Sequence, residues 1–120
     1  GEGYVLSALH DAGLGCDFTG IDLSSEALDY ARTRLPSSVH LERADARSLV
    51  DEGRTFDAVL MLEVLEHIPE PAVMLPILER LTRRWLVLSV PHEPFFRGLN
   101  FMRGKHLTRW GNDPEHVNHW

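Results

Sequence analysis

The stretch Phe18-Thr19-Gly20-Ile21-Asp22-Leu23-Ser24-Ser25-Glu26-Ala27-Leu28 constrains the fold of this chain more than any other. A short β-rich run ends in Gly20-Ile21-Asp22, and a helical pattern begins within about three residues. This predicts a strand, a tight turn and a helix, with one carboxylate at the strand's C-terminal tip. In an open α/β sheet the ligand crevice lies outside those tips. An ionised carboxylate only accepts hydrogen bonds, and it can take two from the hydroxyls of a ribose. Asp22 can equally cap the helix that follows, because Asp and Ser are both good N-caps.

The flanking segments extend this unit in both directions. Gly1-Glu2-Gly3 comes first, and then Val5, Leu6, Ala8, Leu9 and Ala12 fall at helical spacing, with Gly13 and Gly15 as stops. About twenty residues separate the glycines from Asp22, the spacing that puts an acidic residue beside a ribose in a nucleotide-binding βαβ unit. A second helix runs from Ser24-Ser25-Glu26 to about Leu35, with Ala27, Leu28, Ala31 and Leu35 as its buried stripe and Pro36 as its stop. Val39 to Arg43 alternates as a half-buried strand does, and Ala44-Asp45-Ala46 sits at its tip. Phe56 to Leu62 is almost continuously apolar, the pattern of a strand covered on both faces. Glu63-Val64-Leu65-Glu66-His67-Ile68 follows that strand's tip. A proline-opened helix then runs from Val73 to Arg83 with Leu75, Ile77, Leu78 and Leu81 inward, before a last strand from Trp85 to Val90. Strands are therefore expected near 17–22, 39–43, 56–62 and 85–90. Their alternation with helices predicts an α/β fold, a parallel sheet with helices on both faces.

Composition narrows the class. The chain has 120 residues, 43% hydrophobic and 25% charged, which excludes a disordered polymer and allows one domain at most. Its net charge of −6 argues against nucleic acid as the main partner. No apolar run approaches the roughly 20 residues of a membrane span, and no basic-then-apolar leader opens the sequence. The single Cys16 excludes an internal disulfide, reads as a small core residue, and fits a reducing, cytoplasmic setting.

The ordered pieces around Gly1-Glu2-Gly3, Asp22, Asp45 and Glu63-Val64-Leu65-Glu66-His67 together resemble the class I S-adenosylmethionine-dependent methyltransferases. The likeness is to the small-molecule and lipid-type group, of type 11 character, and covers residues 1 to about 92. It implies a seven-stranded Rossmann-like sheet. In that family such glycines close a longer motif opened by an apolar strand, so the chain reads as a fragment that lacks the first strand and the C-terminal strands. A fragment of this kind is expected to bind cofactor poorly and to be inactive by itself. The resemblance places Gly1 and Gly3 at the methionine end of S-adenosylmethionine, Asp22 at the ribose and Asp45 at the adenine, and counts Glu2, Leu23 and Ala46 among the cofactor-binding residues. It places Glu63 at the cofactor too, and Glu63, Glu66 and His67 at the site of methyl transfer. The implied partner is a small-molecule, lipid- or sugar-linked acceptor, and no metal is expected.

The residues leave several roles open. Were a helical turn to begin at Glu63, it and His67 would share one face, four apart. His67 could then accept a proton from a substrate hydroxyl. Glu66 and His67 can also simply brace the loop, and Asp45 can cap a short turn into Ser48-Leu49. Methyl transfer from a sulfonium depends mainly on holding donor and acceptor in line. Two other classes share part of the pattern: an NAD(P)-dependent oxidoreductase and a non-catalytic interaction module. The first would need a hydride-transfer group such as a Tyr-Lys pair after a later strand. Residues 93–120, with Arg97, Arg103, Lys105, Arg109, His106, His116 and His119, are expected to form a basic, aromatic substrate-side lid.

Overall fold

The computed structural model of the chain describes residues 1–90. The expected lid at 93–120 and its histidines lie outside the described residues. Helices and strands alternate: α1 (Tyr4–Asp11), β1 (Thr19–Asp22), α2 (Ser25–Arg34), β2 (His40–Arg43), α3 (Ala46–Asp51), β3 (Phe56–Leu62), a 3₁₀ turn (Leu65–His67), α4 (Pro71–Leu81) and β4 (Thr82–Ser89). The fold is α/β with parallel strands, a partial Rossmann-like architecture. The chain forms two compact units, one of Gly1–Glu52 and one that begins at Gly53.

In the first unit β1 and β2 pair in parallel, with Gly20 opposite Leu41 and Asp22 opposite Arg43. Parallel pairing puts the C-terminal tips of both strands on one edge. Ala31, Leu35 and Val39 form the buried centre, with Leu6, Phe18 and Leu41 packed against it. Leu28 and Leu49 are also buried. Helix α2 has the expected stripe because Leu28, Ala31 and Leu35 recur at helical spacing. Its start is fixed by Ser24, whose side chain accepts from the Ala27 N–H at 3.2 Å. Helix α3 is longer than the short turn expected after Asp45, and Ala46 and Leu49 are its buried residues.

In the second unit β3 and β4 pair in parallel, from Phe56 opposite Thr82 to Leu62 opposite Ser89, with an irregularity between Phe56 and Ala58. Pro71 sits in the first turn of α4, where its missing N–H costs nothing, and Pro76 lies inside the helix. The expected bounds of this region shift. Helix α4 ends at Leu81, where the Thr82 hydroxyl donates to the Leu78 carbonyl at 2.6 Å. Arg83 and Arg84 therefore belong to β4 and not to the end of the helix.

Three expectations about burial are corrected. The apolar β3 is not covered on both faces, Leu60 being 43% exposed, and β4 beside it is open as well, with Val87 47% and Trp85 65% exposed. Of the four residues expected inward on α4, Leu78 and Leu81 are buried, whereas Leu75 is exposed. Cys16 is exposed, outside the core, with its Sγ 3.4 Å from the Leu14 carbonyl.

Candidate functional site

Asp22 ends β1, and its two oxygens have different partners. Oδ1 accepts the Ser24 N–H at 2.8 Å, the short-range loop that Asp favours after a strand. Oδ2 accepts from the Gly1 nitrogen. The glycine loop and the acidic strand tip are thereby in direct contact, across 21 residues of sequence. Burial pulls the Asp22 carboxyl up, but hydrogen bonds from the Gly1 nitrogen and from the N–H groups of Ser24 and Leu23 outweigh it and hold the group below the usual carboxylate range. The side chain is 26% exposed. Leu23, immediately after it, exposes 66% of its surface.

Asp45 lies two residues beyond Arg43, which stands opposite Asp22, and so at the same sheet edge. It caps α3: its Oδ1 accepts from Arg47 N at 2.7 Å and from Ser48 N at 2.9 Å. Capping and ligand binding were competing readings of this residue, yet they use different atoms. Both caps fall on Oδ1, and Asp45 is an exposed residue, so Oδ2 is not used by the cap. Arg43 Nε donates to the Leu23 carbonyl at 2.9 Å and ties the turn after β1 to β2.

Gly3 is the N-cap of α1 and adopts φ 81°, a left-handed conformation. A Cβ there would come within 2.9 Å of Leu35 Cδ1 and 3.1 Å of Ala31 Cβ. Glycine is thus required twice, for backbone angle and for close approach of α1 to α2. Glu2 and Gly1 are exposed beside it. No side chain caps α1, so its first N–H groups point to the same open end.

A cavity of about 510 Å³ borders Arg32, Ser37, Ser38 and His40. It lies by the N-terminal end of β2, the opposite end from Asp22 and Asp45, and so outside the crevice predicted for a ligand.

The second unit carries Glu63, Glu66 and His67 just beyond the tip of β3. Glu63 is in a left-handed conformation, φ 54°, unusual for a residue with a Cβ. Ser89, the last residue of β4, holds it there. The Ser89 hydroxyl donates to Glu63 Oε1 at 2.6 Å and accepts from Glu63 N at 3.2 Å. The helical turn starts at Leu65 and not at Glu63, so the four-apart pairing of Glu63 with His67 does not form. Glu66 is only 1% exposed, and its Oε2 has no hydrogen-bond partner among the described residues. Its Oε1 is 3.9 Å from His67 Nε2, beyond hydrogen-bond reach, and His67 is exposed. An unpaired buried carboxylate oxygen is costly, and such groups concentrate where a ligand or proton is handled. Among the described residues no cluster of three or more candidate ligands could hold a metal ion.

Three contributors escape a linear reading: Arg34, Ser89 and the Ser24 N–H. Only Ser24 had a local signal, the Asp-x-Ser step; the other two act across 32 and 26 residues.

Comparison with known proteins places these features in context. Residues 1–84 match the family described as a methyltransferase domain. The ubiquinone biosynthesis O-methyltransferase of Methylococcus capsulatus is 30% identical over 94% of this chain and 58% of its own length. The enzyme of that name from Thiobacillus denitrificans is 36% identical over 74% of the chain and 40% of its own. The mitochondrial one from Arabidopsis thaliana is 38% identical over 59% of the chain and 24% of its own. The chain thus spans between about a quarter and three fifths of the length of these relatives.

Proposed function

The chain belongs to the methyltransferase domain family, whose cofactor is S-adenosylmethionine, and from that premise we propose that it is the cofactor-binding part of an O-methyltransferase acting on a small-molecule acceptor. One observation carries the reading: Asp22 and Asp45, acceptor-only carboxylates, end adjacent parallel strands on one edge, with the glycine loop bonded to Asp22.

That donor and acceptor set fits a nucleoside with an amino-acid tail. Asp22 takes the ribose hydroxyls. Leu23 lays an exposed apolar surface against the base, and Asp45 Oδ2 accepts from the adenine amine, with the small Ala46 behind it. Gly1, Glu2 and Gly3 present backbone, and the uncapped start of α1 favours the tail's carboxylate. The cofactor supplies a methyl group on a positively charged sulfur, already a good leaving group. The protein's part is alignment and exclusion of water. We assign the acceptor side to Glu63, Glu66 and His67. Glu66, buried with one oxygen unpaired, is the residue best suited to orient or deprotonate an acceptor hydroxyl, and exposed His67 is a second candidate base beside it. The names of the relatives favour oxygen as the atom methylated and a ubiquinone precursor as the acceptor.

Calorimetric titration of the full-length protein with S-adenosylhomocysteine and with NAD tests the assignment. Saturable binding of the first and none of the second is expected. Binding of NAD alone would return the chain to the oxidoreductases.

A further inference from the structure

We propose that Arg34 is the positioning residue of the cofactor loop, a role that rests on the reading of that loop given above. Arg34 ends α2, and its guanidinium reaches two parts of the chain's opening turn together. One Nη1–H donates to the Glu2 carbonyl. The guanidinium carbon lies 3.7 Å over the centroid of the Tyr4 ring. These contacts bracket Gly3, the left-handed residue from which α1 starts.

The same helix face supplies the rest of the mould. Ala31, Arg34 and Leu35 are spaced by three and four residues and so lie on one side of α2. Ala31 and Leu35 lie beneath Gly3, close enough to exclude a Cβ. Arg34 then fixes the peptide plane before Gly3 by its carbonyl and the helix after it by the Tyr4 ring. A planar fork that stacks and donates at once is a property of arginine and not of lysine. The helix dipole would account for a cation at this end of α2, but Arg32 meets that need from an exposed position, paired with Asp29 at 2.6 Å. Only Arg34 of the two touches the loop.

The consequence concerns one half of the ligand. The loop faces the amino-acid tail, whereas Asp22 and Asp45 hold the nucleoside. Loss of Arg34 is therefore expected to weaken S-adenosylhomocysteine while sparing adenosine. The test is titration of both ligands into the full-length protein and into Arg34→Ala, Arg34→Lys, Tyr4→Leu and Arg32→Ala. Arg34→Ala is expected to weaken S-adenosylhomocysteine about tenfold and to leave adenosine within about twofold. Arg34→Lys should not restore the loss, Tyr4→Leu should reproduce part of it, and Arg32→Ala should bind both ligands as the parent does. Equal losses for both ligands, or no loss for the first in Arg34→Ala and Tyr4→Leu, would overturn the proposal while leaving the cofactor assignment intact. Failure of the unaltered protein to bind either ligand would instead remove the cofactor assignment, and this role with it. Should Arg34→Ala not fold, Tyr4→Leu carries the comparison.

Discussion

At the scale of single residues, Asp22 and Gly3 set the terms. Asp22 is ionised in the folded chain, with its carboxyl held below the usual range. A group whose folded pKa is depressed stabilises the fold at all pH above its unfolded value, near 3.9, and loses that contribution as pH falls through the folded value. Chemical denaturation of the chain and of Asp22→Asn at successive pH values should show the parent more stable at neutral pH. The gap should close only in acid, below the ordinary aspartate pKa; a gap that widened as pH fell would reverse the sign of the shift. Gly3→Ala adds a Cβ at φ 81° against Ala31 and Leu35. It should cost about 1–3 kcal/mol in a urea melt. The acidic strand tip was legible because Gly20-Ile21-Asp22 and Ser24-Ser25-Glu26 each carry a strong local signal. The Gly1–Asp22 contact was foreshadowed by spacing alone. Arg34 was not legible, since nothing near it marks a partner 32 residues away.

At the scale of elements, junctions govern the candidate site. Asp45 starts α3, and Asp45→Ala should cost about 1 kcal/mol through the lost cap. Asp45→Asn keeps an oxygen for the cap. Comparing the two variants by thermal melt and ligand titration separates capping from contact with the base. If Asp45→Asn binds S-adenosylhomocysteine as weakly as Asp45→Ala while melting like the parent, the contact with the base stands. Ser89 links the ends of β4 and β3 through both atoms of its hydroxyl. Ser89→Ala should destabilise the fold by about 0.5–1.5 kcal/mol, because it removes the hydroxyl's bond to the exposed Glu63 carboxylate, while the Glu63 N–H keeps the Ser89 carbonyl at 3.2 Å. Ser89→Thr should recover most of it, and an unchanged Ser89→Ala melt would show that another group holds Glu63. Sequence periodicity located β3 to the residue, from Phe56 to Leu62, yet it set the start of β4 at Trp85 instead of Thr82. The reason is physical: Thr82-Arg83-Arg84 is polar, and a helix that passes into a strand without a loop leaves no turn residue to mark the change.

At the scale of the whole molecule, alternating order and parallel pairing were readable, but burial was not. A continuous apolar run specifies a strand that suits cover on both faces. Whether cover is present depends on neighbours, and Leu60, Trp85 and Val87 remain exposed. The placement of Asp22 and Asp45 on one edge follows from parallel register, which the chain order implied and the Asp22–Arg43 pairing fixes. The roles of Glu63, Glu66 and His67 were the least legible. Composition at a strand tip says nothing of a left-handed backbone or of a carboxylate buried to 1% exposure. The central claim is that Asp22 reads a ribose, and the most direct measurement compares S-adenosylhomocysteine with its 2′,3′-dideoxy analogue. The full-length protein should prefer the hydroxylated ligand by about 1–3 kcal/mol, and Asp22→Ala should bind the two alike. A preference that survives in Asp22→Ala would contradict the account.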